Sequence, residues 1–164
     1  MKQVPTIVPQ AAVDAVVHET IAHGRQDHET GGFLLAHTGS DTVHSVALAG
    51  VLGIRRRFDL FQISELALEQ LFTFADRRGL WIPVQFHSHG YEALMSKADK
   101  EHGLCVEGFI STIVPRFSSP PVDPSIWGWW QFHNGDWCPR TFVSTPDDAL
   151  VTVFEFDESG VRER

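Results

Sequence analysis

With 164 residues, 43% of them apolar and 21% charged, the chain has the makeup of a globular protein with one sizeable core, not of a disordered tail. The 13 basic and 21 acidic residues leave a formal charge of −8, which argues against the broad basic face of a nucleic-acid binder. No apolar run approaches the roughly 20 residues that span a bilayer, and Pro5 and Pro9 interrupt the N-terminal stretch that a secretory leader would need. Cys105 and Cys138 lie far apart with no CxxC, so they form neither a disulfide framework nor a sulfur-rich metal site. The expectation is a single domain over residues 1–164 in a reducing cytoplasm, with no nucleic-acid or membrane partner.

In chain order, Val13, Val16, Val17 and Ile21 recur at helical spacing, and Gly24 is a natural stop. "GGFLLAH" and "TVHSVALAG" then read as two strands around the turn "TGSD". "SELALEQLFTFADRRG" is a second amphipathic helix, with Ser64 as its cap and Gly79 ending it. In the following strand, "WIPVQFHSH", alternation turns Ile82, Val84 and Phe86 one way and Gln85, His87 and His89 the other. A short helix is expected from about Met95 to Gly103, then an apolar strand, "GFISTIVP", and a rigid Pro-rich loop. "WGWWQFHNGDW" reads as a hairpin turning at Asn134-Gly135, and "ALVTVFEFD" as the closing strand. Interleaving of this kind predicts an α/β or α+β domain with a mixed central sheet flanked by helices.

Two histidine motifs compete for attention. In "HETIAH", His18 and His23 stand five residues apart, about 140° around a helix, so one ion cannot take both. That segment reads as polar residues on an exposed face. In "QFHSHGYEALMSKADK", His87 and His89 share one strand face, while Ser96 and Asp99 share one side of the next helix. Two imidazoles and a carboxylate leave a fourth position for water, the arrangement of a catalytic zinc. A metal-bound water needs a base, and Glu29, between the first helix and the first strand, is either a solvated loop residue or a carboxylate placed for that purpose, with Gly31 leaving space beside it.

Together, Glu29-Thr30-Gly31-Gly32, His87-Ser88-His89, Ser96 and Asp99 resemble the signature of the JAB1/MPN/Mov34 metalloenzymes, the JAMM family of zinc isopeptidases. The likeness covers most of the chain and is greatest to the short single-domain bacterial members. It implies an MPN/JAB domain with one zinc per chain held by His87, His89 and Asp99. Glu29 is then the general base and Ser96 a donor to the oxyanion. The implied substrate is a ubiquitin-like protein, or its conjugate, cut after its C-terminal tail. E1- and E2-like proteins are implied as functional partners, as in antiphage operons of CBASS or Bil type. The alternatives are a peptidase that trims a sulfur-carrier protein and a non-catalytic MPN scaffold. Gly90 stands where the family has proline, and six residues separate His89 from Ser96 where seven are usual. Glu92 and Glu101 are the substitute ligands should that shorter loop displace Asp99. The stretch "GVLGIRRRFDLFQIS" is the candidate wall for the tail, its three arginines in a solvated loop or facing acidic groups on the modifier.

Overall fold

A computed structural model describes residues 6–142 and 149–164. The first five residues of the stretch read for a leader, and residues 143–148 of the expected domain, lie outside the described residues. Ten strands and three α-helices are present among the described residues: α1 Gln10–Gly24, β1 Gly31–His37, β2 Val43–Ala49, β3 Ile54–Arg57, β4 Leu60–Ile63, α2 Glu65–Arg77, β5 Leu80–Ser88, α3 Lys97–His102, β6 Ile110–Val114, β7 Gly128–His133, β8 Asp136–Pro139, β9 Thr152–Asp157 and β10 Gly160–Glu163. None of the helices is long and apolar enough to cross a membrane.

Eight strands form one mixed sheet in the order β10-β9-β2-β1-β5-β6-β7-β8. The β2–β9 and β5–β6 pairs are parallel and the rest antiparallel. Alternation on the central strands splits the core in two. Leu34, Val46, Leu48, Val84 and Phe86 pack with Ala12, Val13, Val16 and Val17 of α1. Phe33, Leu35, Ala47 and Ala49 pack on the other face with Ala67, Leu71 and Ala75 of α2. Ser64 caps α2 by accepting from the Ala67 N–H, and the Asn134-Gly135 turn has both residues at positive φ, as a two-residue hairpin of type I′ requires. Trp127 and Trp129 are buried, with stacked rings, and belong to the core on the α1 side.

Four expectations need correction. Ile82 does not face the same side as Val84 and Phe86: it packs with Leu80 against the α2 core. Pro83 lacks the N–H that the ladder needs, and the β1–β5 register shifts between Leu34 and Ala36, which turns the strand over. The "RRRFDLF" stretch is not a loop but the β3–β4 hairpin, a separate two-stranded sheet. "ALVTVFEFD" does not close the chain, because β10 folds back on β9 as a final edge strand.

The fourth correction concerns "HETIAH", which is not an exposed polar face. Glu19 and Thr20 are buried, and Glu19 binds His23 at 3.1 Å and Arg164 at 2.8 Å. Burial resists ionisation of Glu19, but those two partners outweigh it and hold its pKa below the usual value. Glu19 is therefore a structural anchor for the chain's last residue, and removing it leaves Arg164 without its buried partner.

Candidate metal centre

The centre is assembled where the start of β1 meets the end of β5. Gly31 pairs with His87 in the antiparallel ladder. Beyond that pair, Ser88 N–H donates to the Thr30 carbonyl (2.9 Å), and Thr30 N–H donates to Ser88 Oγ (2.9 Å). Glu29 N–H donates to the carbonyl of Arg57 (2.8 Å), so the β3–β4 hairpin holds the residue preceding the strand. These bonds bring Glu29 beside His89, 60 residues later in sequence.

Asp99 arrives from α3 in spite of the shorter loop. Ser96 Oγ accepts from the Asp99 N–H (3.1 Å), while Asp99 Oδ2 accepts from the Ser96 N–H (2.8 Å), a reciprocal capping box. The box orients the carboxylate towards the histidines. Asp99 Oδ1 lies 3.2 Å from His87 Nε2, Asp99 Oδ2 lies 3.2 Å from His89 Nε2, and the two Nε2 atoms are 3.0 Å apart. Glu92 and Glu101 take no such place. Glu92 contributes its backbone carbonyl to His89 Nδ1 (3.1 Å), and Glu101 sits 3.7 Å from Lys97 on the exposed side of α3.

Three donor atoms facing one another form a group able to hold a metal ion. Around a tetrahedral ion with bonds of about 2.0–2.1 Å, neighbouring ligand atoms stand about 3.3 Å apart. The separation of the two nitrogens, and the distance from each nitrogen to its nearer Asp99 oxygen, fall within a few tenths of an ångström of that. The donor chemistry fits as well: the Glu92 carbonyl accepts from His89 Nδ1–H, so Nε2 is the ring nitrogen that can give its lone pair to an ion once its proton is displaced.

Electrostatics separates the two carboxylates. Burial raises the Asp99 pKa, but hydrogen bonds from His87 and His89 outweigh it and hold the group well below the usual carboxylate range. Burial also opposes charge on His89, yet Asp99 and Glu29 raise its pKa overall. Glu29 differs: it is only 7% exposed, and its carboxylate lies 4.0 Å from His89 Nε2. Burial, reinforced by Asp99 and Asp59 against the pull of His89, pushes its pKa from 4.5 to about 7.

In the metal-free protein the Glu29 carboxyl stays neutral to about pH 7 when folded, but ionises near 4.5 when unfolded. Its favourable contribution is complete below the unfolded value and is lost as pH rises through the folded one. Glu29→Gln is therefore expected to raise the Tm of the metal-free protein at pH 8 and to leave it unchanged at pH 4. Equal shifts at both pH values would show that burial of charge is not the cause.

A cleft of about 320 Å³ opens onto these groups, lined among others by Glu29, His87, His89, Ser96 and Asp99. Its β4 wall supplies Phe61, whose ring fills the space expected beside Gly31: a Cβ at Gly31 would come within 2.5 Å of Phe61 Cε1. A larger cavity of about 600 Å³ adjoins it through Phe61, Gln62, Gln85 and His102.

Arg56, between exposed Arg55 and Arg57, turns inward and donates to the carbonyls of Ala49 and Gly50 and to Thr30 Oγ1. It fastens the hairpin beside Glu29. Strand alternation in "IRRR" would have singled it out once the segment was read as a strand.

No family model matches the chain, and no curated protein matches it. It is similar to the solution structure of protein DSY2949 from Desulfitobacterium hafniense at 20% identity and TM-score 0.58, over 86% of this chain and 94% of that one. A solution structure of a protein from Salinibacter ruber is also similar, at 20% identity and TM-score 0.56, covering 88% and 94%. AF2198, a JAB1/MPN domain protein from Archaeoglobus fulgidus, aligns at 14% identity and TM-score 0.49, over 85% and 98%. That last superposition is too loose to carry an argument. The other two establish a shared fold: a mixed α+β domain with a central sheet between helices.

Proposed function

We propose that the chain is a zinc-dependent isopeptidase or peptidase of the JAMM kind, cutting after the C-terminal tail of a ubiquitin-like modifier. One observation carries the reading: His87, His89 and Asp99 converge within 3.0–3.2 Å of one another, while the buried carboxylate of Glu29 stands 4.0 Å from His89, outside the triangle. That is a three-residue ligand set with a base beside it. Zinc held by His87, His89 and Asp99 would supply Lewis acidity that activates water and polarises a carbonyl.

The chain's own residues do the rest. Glu29 accepts a proton from the attacking water and returns it to the leaving amine. Ser96 Oγ accepts from the Asp99 N–H, so its own O–H remains available to donate to the developing oxyanion. A thin tail is accommodated beside β4, whose outer edge pairs with no strand among the described residues. Leu60, Phe61 and Gln62 of β4 line the cleft, as strand addition requires. The conjugation partners, E1- and E2-like proteins of an antiphage operon, belong to the same proposal.

The test is zinc-dependent cleavage of fusions joined after the Gly-Gly terminus of candidate ubiquitin-like and sulfur-carrier proteins. Release from the former, abolished by chelation and restored by zinc, is expected. Release from sulfur-carrier fusions alone would favour the trimming peptidase. Intact fusions of both kinds, with zinc bound, would leave a scaffold.

A further inference from the structure

A second cleft, of about 510 Å³, meets the first at Glu29, Asp59, His89 and Ser96. It has no strand edge along it. Its walls come from the β3–β4 turn and the loop after β5, through Phe58, Asp59, Tyr91, Glu92 and Leu94. Glu29, Asp59 and Glu92 are the acidic residues of its lining, and no lysine or arginine lines it.

The apolar wall is fixed in place. Phe58 packs edge-on against buried Phe117 with centroids 5.4 Å apart, and against Tyr91 at 5.5 Å. Gly90 lies beneath it: any Cβ there would come within 2.8 Å of Phe58 Cζ. Tyr91 is 74% exposed and Leu94 is 60% exposed, an apolar surface in a chain of net charge −8.

If the acyl side of the substrate lies along β4, the amine side must leave through this second cleft. We propose that the cleft is a leaving-group subsite for the ε-amine of a lysine carried on a basic peptide segment. The inference rests on the isopeptidase reading. A lysine has the matching shape: methylenes to cover Phe58 and Tyr91, and a nitrogen at the end that reaches Glu29. Flanking cations meet Asp59 and Glu92. Hydrolysis breaks the bond between the carbonyl carbon and Nε. The water oxygen stays on the acyl product as its carboxylate, and both water protons end on the amine, the first delivered by Glu29.

The experiment measures binding and turnover separately on the zinc-loaded chain. Two fluorescent product peptides are compared by anisotropy, acetyl-Arg-Gly-Lys-Gly-Arg-amide and acetyl-Glu-Gly-Lys-Gly-Glu-amide. The basic peptide is expected to bind about five- to tenfold tighter, the sum of a few exposed charge pairs. Asp59→Asn with Glu92→Gln should erase the preference, and Asp59→Lys with Glu92→Lys should invert it, zinc content and circular dichroism confirming that each variant is folded. Glu69→Lys on the exposed face of α2 should leave it unchanged. Equal binding by the wild type, or a preference that survives the double neutralisation, overturns the leaving-group assignment, whatever the fusions do. A preference without cleavage of any tailed fusion overturns the isopeptidase reading and leaves a cation-binding cleft.

Discussion

Glu29→Ala is expected to slow cleavage of a Gly-Gly-tailed fusion by about 10²–10⁴-fold, the usual contribution of a positioned general base. Zinc content and fold should survive. The carboxylate stands 4.0 Å from His89 Nε2 and is not one of the three converging donors. The bond that anchors residue 29 to the hairpin runs from its backbone N–H to Arg57, and alanine keeps it. The variant should therefore bind the modifier without releasing it, which makes it a trap. Measuring turnover, zinc content and modifier binding together separates a lost base from a lost site. Glu69→Ala, exposed on α2, is the control, since Glu19 is buried against Arg164 and cannot serve as one. Wild-type turnover in Glu29→Ala would remove Glu29 from the chemistry.

The legible parts of this centre were those set by local periodicity. His87 and His89 share a face because strand side chains alternate, and Ser96 and Asp99 share a side because helical residues three apart are neighbours. The companionship of Glu29 and His89 was suggested only by motif resemblance, because it depends on β1 pairing with β5 across the sheet. The β3–β4 hairpin was hidden for a related reason. Its turn, Phe58-Asp59, has no glycine or asparagine, and neither residue adopts the positive φ that marks a two-residue hairpin turn. β10 follows a two-residue turn, Glu158-Ser159, whose signals are Asp157, Ser159 and Gly160. The spacing of α1 puts His23 beside Glu19, but burial of Glu19 could not be read there, because its second partner is Arg164, at the far end of the chain. Local pattern placed the ligands, and tertiary pairing placed the base and its supports.

Alanine in place of His87, His89 or Asp99 is expected to abolish stable zinc binding, and cleavage with it. Each change leaves two donors where three are needed. The loss of affinity should exceed the roughly 10–100-fold typical of changes to residues that merely orient ligands. Thermal unfolding gives a readout independent of turnover: zinc at a hundredfold excess over its Kd stabilises a folded protein by about 2.7 kcal/mol. The wild type should show that zinc-dependent rise in Tm and the three variants should not. Glu92→Ala and Glu101→Ala should keep the zinc-dependent rise in Tm, because Glu92 serves His89 through its backbone carbonyl and Glu101 points towards Lys97. Ser96→Ala falls between these groups. It loses the hydroxyl that accepts from the Asp99 N–H, a helix cap worth about 1 kcal/mol. It keeps the backbone N–H that holds Asp99 Oδ2, so most of the zinc affinity should remain. A Ser96→Ala protein that binds zinc, folds and still cleaves slowly would place the hydroxyl at the oxyanion, whereas unchanged cleavage would confine it to capping α3. Should Glu92→Ala lose zinc while Asp99→Ala keeps it, the shorter loop has shifted the ligand register and Asp99 is not the third ligand.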